Sequence, residues 1–112
     1  MVIVYTRLKL AVIVTFPAGM EKMRTIMRRF REPIEAFGGK RVLETLDYAP
    51  GLDGLPKADV LKFVLEDDCS VIVRPSGTEP KVKAYVTVSA PEKDAAVAAE
   101  KEIRKGIESF MQ

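Results

Sequence analysis

Ser70-Val71-Ile72-Val73-Arg74-Pro75-Ser76-Gly77-Thr78-Glu79-Pro80-Lys81-Val82-Lys83-Ala84-Tyr85-Val86-Thr87-Val88 carries both the architecture and the chemistry of this chain. Toward its end, Val82, Ala84, Val86 and Val88 alternate with Lys83, Tyr85 and Thr87. That two-residue period is a strand with one face turned inward. Residues 70–74 form the strand that leads in. The connection between them is of hairpin length and is punctuated by Pro75 and Pro80, which favours antiparallel pairing.

The connection has the parts of a loop that grips a phosphate. Arg74 offers a planar fork of donors that matches phosphate oxygens in pairs. Ser76 and Thr78 add hydroxyl donors, and Gly77 lets the backbone turn its N–H groups toward an anion. The prolines have fixed φ and limit how the loop flexes. Lys81 either lends charge to the site or simply opens the outgoing strand. Glu79 would repel an anion if it faced inward, so it is expected to point away or to pair with Arg74 or Lys81. The same residue types also suit an ordinary turn. No GxxxxGK[ST] pattern is present, so this is not a nucleotide P-loop of that kind.

Working outward, residues 59–66 alternate at strand period, and Asp67-Asp68 mark a tight turn into the next strand. Residues 41–48 predict a further strand, and the glycines and prolines of 49–57 a loop. Residues 8–15, rich in valine and isoleucine, predict the first strand. Met20, Met23, Ile26, Met27 and Phe30 recur at helical spacing and predict an amphipathic helix over 18–31, ended by Pro33 and Gly38-Gly39. Ala96, Ala99, Ile103, Ile107 and Phe110 trace one face of a second helix, with capping-box spacing at Ser89-Ala90-Pro91-Glu92. The expected fold is a two-layer α+β domain: an antiparallel sheet of about four to five strands with two helices on one face. Residues 1–7 read as an interdomain connection or an edge strand ahead of a domain at 8–112.

The bulk numbers exclude several classes. A chain of 112 residues, 47% hydrophobic, fits one domain with a core. Net charge is +2, too weak a field to argue for nucleic acid. No apolar run approaches the ~20 residues of a membrane span. The single cysteine, Cys69, cannot form an internal disulfide, which agrees with a cytoplasmic location. With no histidine, a His-based hydrolase or zinc site is excluded. Arg24, Arg28 and Arg31 share a helical stripe beside Arg29, but no aromatic platform is interleaved, and a solvated face is expected. Glu66, Asp67 and Asp68 lack the ligand spacing of a calcium loop, so no metal site is expected. Cys69 has no histidine to activate it.

The octapeptide Arg74-Pro75-Ser76-Gly77-Thr78-Glu79-Pro80-Lys81 resembles the signature loop of the last domain of the α-D-phosphohexomutases, the family of phosphoglucomutases and phosphomannomutases. That loop reads Arg-x-Ser-(Gly/Asn)-Thr-(Glu/Asp)-Pro, and every position is filled here. Gly54-Leu55-Pro56-Lys57-Ala58-Asp59-Val60-Leu61-Lys62 is similar to the stretch ahead of it in the bacterial phosphoglucomutase branch. The resemblance implies a domain shaped like the TATA-box-binding-protein fold. It implies that Arg74, Ser76, Gly77 and Thr78 hold the phosphate of a glucose or mannose phosphate, with Lys81 secondary. It implies a parent enzyme that interconverts hexose 1- and 6-phosphates through a bisphosphorylated intermediate.

In that family the phosphoserine, the Mg²⁺-binding aspartate loop and the sugar-reading loop lie in other domains, and none of those patterns occurs here. This chain is therefore expected to hold no catalytic residue, no metal and no cofactor of its own, and to be inactive alone. Its expected partners are the other domains of the mutase and a phosphosugar. The rival expectation is a stand-alone module that binds an anion or RNA.

Overall fold

The computed structural model describes residues 8–51 and 58–111. In chain order these form β1 (Leu8–Pro17), α1 (Met20–Phe30), β2 (Ala36–Phe37), β3 (Lys40–Asp47), β4 (Leu61–Leu65), β5 (Cys69–Pro75), β6 (Lys81–Ala90) and α2 (Lys93–Glu108). A single 3-10 turn, Glu66–Asp68, joins β4 to β5, with Asp67 and Asp68 at φ 58° and 59°. The strands make one antiparallel sheet in the order β1-β6-β5-β4-β3-β2. The α+β class, the antiparallel sheet and the two helices are as expected.

Three local expectations are corrected. The sheet has six strands, because the two-residue β2 is too short to leave a period. Gly38 and Gly39, at φ 55° and 81°, do not stop α1; they form the β2–β3 turn. Two successive positive φ values are what a two-residue hairpin loop needs. The capping box also fails. β6 runs on to Ala90 because β1 pairs with it along ten residues, which draws Ser89 into the ladder, and the N-cap of α2 is Glu92 without a side-chain cap.

Alternation along the strands sorts the sheet into two faces. Leu61, Phe63, Leu65, Val71, Val73, Val82, Ala84, Val86 and Val88 are buried on one of them. Both helices cover that face, α1 through Ile26, Met27 and Phe30 and α2 through Ala96, Ile103 and Ile107. The Phe30 ring lies 6.2 Å from Phe37, 6.1 Å from Phe63 and 5.1 Å from Phe110, so the two helices and the sheet meet at one aromatic cluster. Burying each such ring contributes about 1.5–3 kcal/mol. Glu100 also lies in the buried stripe of α2, between Ala96 and Ile103. Its Oε2 accepts a hydrogen bond from Arg104 at 2.5 Å, while Oε1 has no partner.

Arg31 caps α1 and ties the layers together. Its guanidinium donates to Asp47 at 2.9 and 3.2 Å and to Asp59 at 2.8 Å. It is therefore not part of a solvated stripe. The hydrogen bond from Arg31 holds the Asp47 carboxyl below its ordinary range, against the opposing effect of burial. A depressed carboxylate stabilises the fold above its unfolded value, about pH 3.9, and the contribution is lost as pH falls through the native value. Arg31→Ala should cost about 1–2 kcal/mol at pH 7, kept modest by solvent screening of these part-exposed groups. Urea melts should show that difference shrinking below about pH 4. A difference unchanged from pH 7 to 3 would show that the loss is packing and not charge.

Candidate functional site

The β5–β6 hairpin register determines where the loop's cations point. Val73 pairs with Ala84 and Pro75 with Val82, all on the helix-covered face, so Arg74 projects from the opposite face. Its cross-strand partner is Lys83, and the partner of Lys83 on β1 is Thr15. Lys81 lies on the same side of β6, two residues closer to the loop. Like charges directly opposite in an antiparallel pair repel. Among the described residues the Arg74 guanidinium has no hydrogen-bond or ion-pair partner. Lys83 was missed from the sequence, although counting back across the hairpin would have placed it opposite Arg74.

The loop itself is closed by its own backbone. The Ser76 N–H donates to the Lys81 carbonyl at 2.8 Å, and the Lys81 N–H donates to the Glu79 carbonyl at 2.8 Å. The Glu79 N–H donates to Ser76 Oγ at 3.3 Å, which leaves the serine hydroxyl hydrogen free to donate. The N–H groups of Gly77 and Thr78 are then the loop donors without an internal partner among the described residues. Gly77 is not at positive φ, and a Cβ built on it meets nothing within 4 Å. The fold therefore does not demand glycine there; its absent side chain leaves the crest open.

Glu79 takes one of the expected options by pairing with Lys81 at 2.9 Å. That hydrogen bond, then the charge of Lys81, hold its carboxyl below the ordinary range, and Lys83 adds to the effect. Two cations thus act on one exposed carboxylate.

The other side of the loop meets the start of α1. The Ala18 N–H donates to the Pro80 carbonyl at 2.8 Å. Met20, Met23 and residues 76–80 line a cavity of about 270 Å³. The N-cap of α1, Gly19, supplies no side-chain oxygen. Ser76, Gly77 and Thr78 are therefore brought together at this cavity, and Arg74, at the end of β5 that leads into the loop, is not among the residues that line it. This approach of α1 was invisible in the sequence, because it depends on β1 lying beside β6.

Glu66 Oε1 accepts from the Arg41 N–H at 2.7 Å, Asp67 pairs with Lys40 at 2.6 Å, and Asp68 lies 3.7 Å from Lys9. Among the described residues no group of three or more His, Cys, Asp or Glu could hold a metal ion. Cys69 is buried in the sheet. No helix among the described residues is long and apolar enough to cross a membrane. The segment 1–7 and the Gly54–Lys57 part of the second resemblance lie outside the described residues.

Residues 24–105 match the family described as phosphoglucomutase/phosphomannomutase, C-terminal domain. The chain is 36% identical over 83 residues to a phosphoglucomutase of Staphylococcus saprophyticus, covering 63% of this chain and 15% of that protein. It is 36% identical over 88 residues to a phosphoglucomutase of Staphylococcus aureus, covering 68% and 16%. The chain thus spans only about a sixth of the length of the curated relatives it matches. With the whole β5–loop–β6 hairpin inside the matched span, this chain belongs to the phosphoglucomutase/phosphomannomutase C-terminal domain family.

Proposed function

We propose that residues 8–112 form the substrate-phosphate-binding domain of a longer, cytoplasmic phosphoglucomutase or phosphomannomutase. The observation that carries this reading is the cross-strand pair Arg74 and Lys83, neither of which makes a hydrogen bond or salt bridge through its side chain among the described residues. An anion between them would turn a repulsion into two charge-assisted contacts. In this reading Arg74 binds the phosphate of a glucose or mannose phosphate in a fork. Ser76 and Thr78 donate hydroxyls, and Gly77 and Thr78 donate their free N–H groups. Lys83 adds charge, and Lys81 joins when Glu79 releases it.

The site is a positioning device. Gripping the phosphate that is not reacting uses binding energy remote from the chemistry to align the one that is. This suits an isomerisation in which a bisphosphorylated intermediate must turn around between two transfers. The nucleophile and the Mg²⁺ would be held by other domains of the same polypeptide. Glu66, Asp67 and Asp68 are engaged by the Arg41 N–H, Lys40 and Lys9. Alone, the chain would bind but not turn over.

The test is an NMR titration of the 112-residue chain with glucose 6-phosphate. Affinity should be millimolar, about −4 kcal/mol, because one domain leaves the anion half exposed. The amides of Gly77 and Thr78 should shift first. Shifts gathered on Arg24 and Arg28 instead would move the site to α1 and revive the nucleic-acid reading. Gly77→Ala separates binding from folding. It should leave stability unchanged or raise it by about 0.4–1 kcal/mol, since φ there is ordinary. It should also weaken the titration several-fold by crowding the crest. Unweakened binding would show that the phosphate does not sit at the crest.

A further inference from the structure

β1 ends the sheet on one side, and no described strand pairs with its outer edge. The direction of its backbone groups follows from the hydrogen bonds at its end. The Ala18 N–H donates to the Pro80 carbonyl, one step beyond the Pro17–Lys81 pair. Backbone groups alternate in direction along an antiparallel ladder. Leu10, Val12, Val14 and Phe16 therefore bond to β6, while Lys9, Ala11, Ile13 and Thr15 turn their N–H and C=O groups outward. The Ser76 N–H on the Lys81 carbonyl gives the same alternation from the other side of β6.

Natural sheets protect such edges by shortness, bulges, charge or proline. The opposite edge of this sheet has these devices. β2 is two residues long, β3 shifts register between Val42 and Glu44, and Lys40, Arg41, Glu44 and Asp47 charge it. β1 runs for ten residues with no register shift, with one charge, Lys9, and with its proline at the far end. It also carries two exposed large hydrophobics, Leu8 at 41% and Ile13 at 62%.

We propose that β1 pairs antiparallel with β1 of a second copy of this chain, across a two-fold axis at Val12, joining two sheets into one. The strand's own sequence fits this occupant. About Val12, Ala11 faces Ile13 of the second copy and Lys9 faces Thr15, so every outward-facing residue meets an outward-facing partner. Each of these pairs exchanges two hydrogen bonds. A slip of one residue sets outward groups against inward ones. A slip of two either sets Lys9 against Pro17, which has no N–H, or carries Thr15 past Leu8. No like charges meet, since Lys9, which lies 3.7 Å from Asp68, stands opposite a threonine. On the helix-covered side Leu10 meets Val14 and Leu8 meets Phe16, and on the other side Ala11 covers Ile13. The contact uses the same patch on both copies, the usual form of a closed dimer. Main-chain pairing of this kind is a common mode of recognition at a sheet edge. The proposal does not depend on the phosphate reading, because Arg74 and Lys83 lie on β5 and β6.

Sedimentation of the 112-residue chain tests it. With rising concentration the mass should climb from 12.4 kDa toward twice that value. The Kd should be about 100 μM or tighter, and a single-chain mass up to about 1 mM overturns the proposal. Ile13→Pro should weaken association at least about tenfold and still fold, because the N–H it removes faces outward and proline is tolerated at such edge positions. Undiminished association of a folded Ile13→Pro chain overturns the proposal. Val12→Cys reads the register without relying on that variant. Residue 12 meets its own copy at the axis, within the ~7 Å Cα reach of a disulfide, whereas residue 10 and its copy stand about 14 Å apart. Both side chains are half-buried on the same face, and Cys69 is buried. Under diamide, Val12→Cys should form a covalent dimer at least about tenfold faster than Leu10→Cys, and equal rates overturn the proposal. The amides of Ala11 and Ile13 should gain protection from hydrogen exchange as concentration rises. Full protection at the lowest concentration, in a chain of single mass, assigns the edge to a segment of the same polypeptide and overturns the proposal as well.

Discussion

Arg74→Ala in the full-length mutase should lower kcat/KM by about 10- to 100-fold or more while leaving Tm nearly unmoved. A charge-assisted, forked contact to phosphate contributes about 1.5–3 kcal/mol, and more in a closed, dry cleft. Arg74 is exposed and makes no hydrogen bond or ion pair among the described residues, so its removal takes little from the folded state. Its removal also relieves the repulsion with Lys83, which it faces across the hairpin, so any change in Tm should be slightly upward. Arg74→Lys should restore only part of the rate, because an ammonium keeps the charge but not the fork. Steady-state kinetics and a thermal melt on the same preparations check both halves. Wild-type activity in the alanine variant would mean that this loop does not hold the substrate. A collapse in Tm would make Arg74 a structural strut.

The largest expected effect on folding lies elsewhere, at Gly38. A Cβ there would overlap the backbone carbonyl of Glu102 and lie 2.6 Å from the Ile103 nitrogen. Both obstacles are helix backbone and cannot rotate away. Gly38 also sits at φ 55°, where a side chain costs about 1–2 kcal/mol by itself. Forcing α2 away from the β2–β3 turn adds about 1–3 kcal/mol. Gly38→Ala should therefore lower stability by about 2–5 kcal/mol in urea unfolding, seen as a fall in midpoint at constant slope. Gly39→Ala is the internal control. It sits at φ 81° in open space, so it should cost only the conformational part. Gly106 is the other half of the contact, since its own Cβ would come within 2.9 Å of the Gly38 nitrogen. Equal losses at positions 38 and 39 would mean that α2 does not rest on this turn.

Neither contact between layers was legible in the chain. Gly38-Gly39 and Gly106 are unremarkable as letters, and the pair at 38–39 suggested a helix stop. The φ values and the closeness of α2 arise only once the sheet has brought the β2–β3 turn beneath that helix. Glu100 shows the same gap from the other side. Helical spacing puts it on the apolar stripe, but only the packed structure shows it buried with one oxygen unpaired. Arg31 read as one member of a basic stripe, yet its partners Asp47 and Asp59 are 16 and 28 residues away.

What the sequence by itself determined is the part of this protein that is local and periodic. Alternation at 82–88 marked a strand and its two faces, 3.6-residue spacing marked both helices, and the residues of 74–81 marked a hairpin loop together with its family. Those properties depend on neighbours within a few residues, which the chain displays directly. Tertiary structure alone decided which strands are neighbours. A strand's period says which side chains share a face but not what lies beside it, because pairing is set by long-range burial of the common core. Placing β1 against β6 brought Ala18 and the start of α1 to the loop and set Thr15 beside Lys83. The β5–β6 register put Arg74 and Lys83 together on the face that no described helix covers. That face exists as a surface only after both helices have been drawn to the other side by Phe30, Phe37 and Phe63.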